Sequence, residues 1–108
     1  MANTIIALTI CGDEQQAFLI ARALVEERLA ACVNVLPQIH SIYRWKGAAE
    51  SAQEVLLLAK TSGDVFPALR DRIVELHSYE VPEVIAVPVV AGLEAYLSWV
   101  GEQVVQAK

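Results

Sequence analysis

The sequence predicts an α+β domain in which helices cover one face of a four-stranded antiparallel sheet. Three observations predict it. Strand-type and helix-type segments follow one another in the order strand, helix, strand, strand, helix, strand, helix. The two middle strand runs are separated by Lys46-Gly47, a two-residue turn signal, so they form a hairpin. No linker, internal repeat or low-complexity tract interrupts the series, so residues 1–108 read as a single domain of ordinary size. This order is the ferredoxin-like βαββαβ pattern with one helix added at the C-terminus.

Each element has its own reason. Thr4 to Cys11, TIIALTIC, is short, rich in Ile and bounded by Gly12-Asp13, which marks a strand. Asp13 suits a helix N-cap, with Gln16 three residues later as in a capping box. A helix then runs to about Ala30, with Phe18, Ala21, Leu24, Val25 and Leu29 as its apolar stripe. ACVNVLPQIHSIYRWKG is extended, and Pro37 must lie at a bulge or an edge because it donates no ladder bond. SAQEVLLLAKT is the returning strand. Ser62-Gly63-Asp64 breaks it, and Asp64 is placed to cap a helix that has Pro67 in its first turn and ends near His77. VIAVPVV is the fourth strand, ended by Ala91-Gly92, and GLEAYLSWVGEQVV is the closing helix.

Composition narrows the function classes. Hydrophobic residues make up 56% of the chain and charged residues 19%, which places it among globular and not disordered chains. The net charge is −5 and the eight basic residues are scattered, so neither nucleic acid nor an anionic membrane surface is an expected partner. MANTIIALTICGDE lacks a basic n-region, and VIAVPVVAGL is too short for a membrane span. The expected location is the cytoplasm, where Cys11 and Cys32 are reduced thiols. The two cysteines match no structural zinc spacing.

The sheet carries a further expectation. An antiparallel sheet with helices on one face should alternate to polar residues on the other. Ile5 to Ile10, Val55 to Ala59 and Val84 to Val90 are apolar on both faces instead. The chain leaves no element to cover the second face, so an oligomer packing sheet against sheet is expected.

Five stretches together resemble one family: RLAACVNVLP, SIYRWKG, EVLLLAKT, HSYEVPE and YLSW. In this order they are similar to the CutA family of divalent cation tolerance proteins, over nearly the whole chain. The resemblance implies a ferredoxin-like subunit in a cytoplasmic homotrimer with PII-like build, with strand pairing between subunits through the long hairpin. It also implies tolerance of copper and other divalent metal ions, copper binding, and no enzymatic activity. One residue departs from the pattern. The family has proline after the histidine, as His-Pro-Tyr, where this chain has Ser78.

Topology sorts the candidate residues. The first strand ends with Cys11 at one end of the sheet, and Cys32 starts the second strand at the other. Seven residues of strand separate those levels by roughly 20 Å, so the two thiols cannot share one ion within a subunit. Cys11, Asp13, His77, Tyr79 and Glu80 converge on the same end, and the hairpin tip with Tyr43, Trp45 and Lys46 gathers at that level. Thiolate and imidazole suit copper or zinc, so Cys11 with His77, completed by Glu80, Asp13 or a neighbouring chain, is the metal candidate. His77 reads equally as a helix-ending residue that bonds the last carbonyls. Tyr43 and Trp45 read as the wall of a ligand pocket or as interface anchors, and Tyr79 as cover for a turn. Cys32 reads as a small buried side chain, and His40 as an exposed strand residue.

Enzyme signatures are missing. The chain has no phosphate-binding glycine loop, no HExxH and no GxSxG. The expected function is transition-metal binding in divalent-cation tolerance. The competing reading is a PII-like signalling module that holds a small molecule in clefts between subunits.

Overall fold

A computed structural model describes residues 3–105. It contains β1 (Thr4–Cys11), α1 (Glu14–Glu26), β2 (Cys32–Trp45), β3 (Ala48–Ser62), α2 (Phe66–Leu76), β4 (Val84–Pro88) and α3 (Glu94–Gln103). The strands form one antiparallel sheet in the order β2-β3-β1-β4, the ferredoxin-like order the sequence predicts.

Strand alternation sets the core. Ala7 and Cys11 of β1, and Val55, Leu57 and Ala59 of β3, project from one face and are buried. Ala17, Ile20, Ala21 and Leu24 of α1, with Leu69 and Ile73 of α2, close over them. Leu57 is fully buried at the centre, and burying such a side chain contributes about 1.5–3 kcal/mol. The opposite face carries Leu8 against Leu58 and Ile85, and Ile6 against Lys60 and Val87. Ile85 and Val87 remain about half exposed.

The sequence leaves no element for that second face, yet α3 lies over part of it. Cys32 shares this face with its cross-strand partner Lys60, because the adjacent Val33–Ala59 pair faces the core. Tyr96, on α3, lies near enough to Cys32 for the thiol to help push its hydroxyl pKa up, after burial, and α3 packs on β3 and β1. The helix is tied down at its end by Arg28, whose guanidinium donates to the carbonyls of Gln103 (2.9 Å) and Glu102 (2.8 Å). The apolar surface left open is therefore smaller than alternation alone suggests.

Several boundaries differ from expectation for local reasons. The first helix stops at Glu26, not near Ala30, because Arg28 turns left-handed (φ 61°) and ends it. Its buried stripe is Ala17, Ile20, Ala21 and Leu24, so Phe18 and Val25 point outward. Asp13 does cap α1, its Oδ1 accepting from the Gln16 amide at 2.8 Å. The Gln16 side chain does not close a capping box but donates to the Leu76 carbonyl at the end of α2. Asp64 does not cap α2: the N-cap is Val65, and Pro67 sits in the first turn as expected. β4 ends at Pro88, not Val90, and the last helix begins only at Glu94.

The hairpin is the longest feature. Lys46 (φ 51°) and Gly47 (φ 82°) are both left-handed, as a two-residue turn that matches strand twist requires. A bulge interrupts β2 between Leu36 and Ile39, with Gln38 left-handed at φ 62°. Pro37 thus lies both at a bulge and on an edge strand. Past the bulge the ribbon is mostly exposed, and the domain measures 44 × 26 × 22 Å.

Candidate functional site

The end of β1, the far half of the hairpin and the connector 77–83 meet at one end of the sheet, as topology predicts. His77 is held there as a clasp between two elements. The Tyr79 amide donates to His77 Nδ1 at 3.0 Å. Nδ1 is therefore the acceptor, and Nε2 carries the proton and donates to the Ile10 carbonyl of β1 at 2.7 Å. The expectation of bonds to the last helix carbonyls is corrected: the ring reaches across to β1, and only the His77 amide bonds within its helix, to Ile73. His77 is 8% exposed, and its ring stacks obliquely on Tyr79 at 4.7 Å.

Tyr79 extends the clasp. Its hydroxyl donates to Glu54 Oε2 of β3 at 2.7 Å. Burial, reinforced by that bond to Glu54, pushes the Tyr79 hydroxyl up to about 12. Gly12 leaves room for the same ring, since a Cβ there would stand 3.0 Å from the Tyr79 oxygen. Beside it, Cys11 is wholly buried. Burial pushes its thiol up to about 11, and the carboxylates of Asp13 and Glu54 add to the effect.

These contacts decide what the predicted metal pair presents. Both ring nitrogens of His77 are engaged by the backbone, and Cys11 is held as a protonated thiol. A soft metal needs a thiolate and a free imidazole nitrogen. A metal ion taken up by Cys11 and His77 would therefore have to displace one of the His77 hydrogen bonds and remove the thiol proton. Among the described residues, no three His, Cys, Asp or Glu side chains lie close enough together to hold a metal ion. Cys32 lies at the opposite end of the sheet from Cys11, facing Lys60 while Cys11 faces Val55, as the strand count requires.

Between the hairpin and the connector runs a groove of about 840 Å³. Tyr43 and Trp45 of β2, Glu54 of β3, and Tyr79, Glu80 and Glu83 of the connector line it. Ile10, Ile42 and Val81 add an apolar floor and rim. Lys46 lies over the Trp45 ring, its ammonium 5.8 Å from the centroid. Asp13 stands apart from this groove. It lines a smaller recess of about 290 Å³ near Gln38 and Gln53, and Glu54 borders both.

The family model described as CutA1 divalent ion tolerance protein matches residues 5–103. The chain belongs to the CutA1 family. It is 50% identical over 97 residues to the divalent-cation tolerance protein CutA of Thermus thermophilus, covering 90% of this chain and 94% of that one. It is 54% identical to human protein CutA over 87% of this chain, which spans about half (52%) of the human protein. The Cut A1 structure from Thermus thermophilus superposes with a TM-score of 0.91 at 48% identity, over 94% and 98% of the two chains. CutA1 from Oryza sativa gives 0.95 at 33% identity, over 98% and 97%.

One residue of this end of the sheet escapes sequence reasoning. Glu54 looks like the start of an apolar strand, yet it anchors Tyr79 and borders both recesses. The available signal was its parity with Leu56 and Leu58, which puts a carboxylate on the face away from the helices. The Ile10 carbonyl, the partner of His77, gives no sequence signal at all.

Proposed function

We propose that the chain acts in divalent-cation tolerance as a cytoplasmic homotrimer, and that it binds transition-metal ions, copper above all, with donors completed by a neighbouring subunit. Family membership supports the tolerance role. The observation that carries the assembly is the surface left open: Ile85 and Val87 on the sheet face, and a hairpin whose Ile42 and Trp45 are 79% and 60% exposed. No described helix is long and apolar enough to cross a membrane. The role is binding and not catalysis. The one buried thiol at the site is pushed up to about 11 by burial, which makes it a poor nucleophile at neutral pH.

The test is a calorimetric copper titration of the reduced protein, paired with sedimentation across a dilution series. Saturable binding that disappears as the trimer dissociates is the expected result. A monomer at micromolar concentration, or copper binding unchanged by dissociation, overturns it.

A second reading has its own support. The groove has the volume and aromatic walls of a small-molecule site. In this reading the chain is a PII-like signalling module. An organic ligand would raise its melting temperature by mass action where metal ions do not.

A further inference from the structure

We infer that α3 is a strap fastened to the subunit by Arg28, opening and closing as a unit, and that its closed form completes the face on which a second copy of this chain docks. The last clause rests on the homotrimer reading. The helix holds itself poorly. It has 10 residues, and isolated helices below about 12–15 residues are marginal in water. Its N-cap, Leu93, makes no side-chain hydrogen bond, and its last turn carries no basic residue. Gly101 lies inside it and lowers its intrinsic preference further. Val100 is its buried residue, against Ala17, Ile20, Ala21 and Leu24 in α1. The segment that leads into it is open, with Val90 92% and Leu93 75% exposed.

What the helix lacks, Arg28 supplies from 74 and 75 positions away. Its Nη2 donates to the Glu102 carbonyl and its Nε to the Gln103 carbonyl. Both belong to the last turn, whose carbonyls have no partner within the helix. The cation also stands at the negative end of the helix dipole. The Val105 amide donates in turn to the Arg28 carbonyl at 2.9 Å, so hydrogen bonds in both directions join this residue to the end of α3. Arg28 itself is left-handed, a conformation that glycine adopts freely and other residues do not. Glycine would end α1 equally well. The guanidinium fork is what arginine adds at this position.

The place of the strap ties it to association. Cys32, Lys60, Ile6 and Val87 form one row across the sheet, from β2 to β4. Tyr96 stands by Cys32 at one end of the row. α3 packs over β3 and β1 in the middle, and Val87 at the far end is 46% exposed. The strap thus walls the open apolar surface on one side. Its large side chains there are Tyr96 and Trp99, with rings 5.7 Å apart and each 40% exposed. Half-buried aromatics beside an open apolar strip are anchors for a partner surface. Release of α3 would remove them from the face that Ile85 and Val87 present.

The experiment is amide hydrogen exchange of the intact protein, read at residues 98–103 and along β1, with sedimentation of the same samples across a dilution series. Arg28→Gly keeps the left-handed turn and removes the fork. Arg70→Gln removes one surface cation from α2, where Arg70 pairs with the adjacent Asp71, and so controls for net charge. The expected result is exchange in α3 that is about tenfold or more faster in Arg28→Gly only, with β1 unchanged. The Arg28→Gly trimer should also come apart at a protein concentration about tenfold or more above that of the parent protein. Unchanged exchange in α3, or an equal rise in β1, overturns the strap. Faster exchange in α3 with an unchanged trimer overturns its part in docking. A parent protein that sediments as a monomer overturns the homotrimer reading and the docking with it, while the exchange comparison still decides the strap.

Discussion

Replacing His77 with alanine separates a clasp from a metal ligand. The side chain is 8% exposed and satisfies two backbone groups, the Ile10 carbonyl at 2.7 Å and the Tyr79 amide at 3.0 Å. Leaving a buried polar group without its partner costs about 1–3 kcal/mol, and water entering the space left by the ring offsets part of that. The tilted stacking on Tyr79 at 4.7 Å is lost as well, worth about 0.5–1.5 kcal/mol. The expected loss is about 2–4 kcal/mol, a large share of the roughly 5–15 kcal/mol that holds a domain folded. The assay is guanidinium unfolding at fixed protein concentration, since association would otherwise change the apparent stability. His77→Phe fills the volume without the hydrogen bonds and should recover only the packing part. A stability change under about 0.5 kcal/mol in His77→Ala, with copper affinity abolished, would refute the clasp and restore the ligand reading.

Two further outcomes follow from the same site and its neighbour in β1. Tyr79 and Cys11 both favour their protonated forms when folded, rising from 10.0 to about 12 and from 9.0 to about 11. The stability they contribute is complete below about pH 9 and is lost as pH climbs through 11 and 12. Melting temperature followed from pH 8 to 12 should fall in that window, and Tyr79→Phe should remove its upper part; an unchanged profile would contradict the bond to Glu54. Thr9 is 2% exposed and its hydroxyl has no hydrogen-bond partner, so Thr9→Val keeps the shape and should stabilise by about 1–2 kcal/mol. Lower stability in urea unfolding would show that the hydroxyl has a partner in the fold.

Much of this protein was legible in order and spacing. The short apolar runs Ile5 to Ile10 and Val55 to Ala59, the Lys46-Gly47 turn and the Asp13 cap are local signals. They fix element type, because strand pleat, turn handedness and helix ends each demand particular residues at particular offsets. The chain order then brings Cys11, His77 and Tyr79 to one end of the sheet, since antiparallel strands must return. What those side chains do there was not local. Whether His77 binds metal or backbone depends on where the Ile10 carbonyl points, and a carbonyl is the same in every residue. Cys11 is a thiol in the sequence and a protonated, buried one only once α1 and the sheet close over it. Glu54 joins the site through a hydroxyl 25 positions away, and α3 covers part of the open face through contacts that no periodicity records. Sequence determined the elements and the end at which they meet. Burial and long-range hydrogen bonding, which exist only in the folded chain, decided which groups remain available for chemistry.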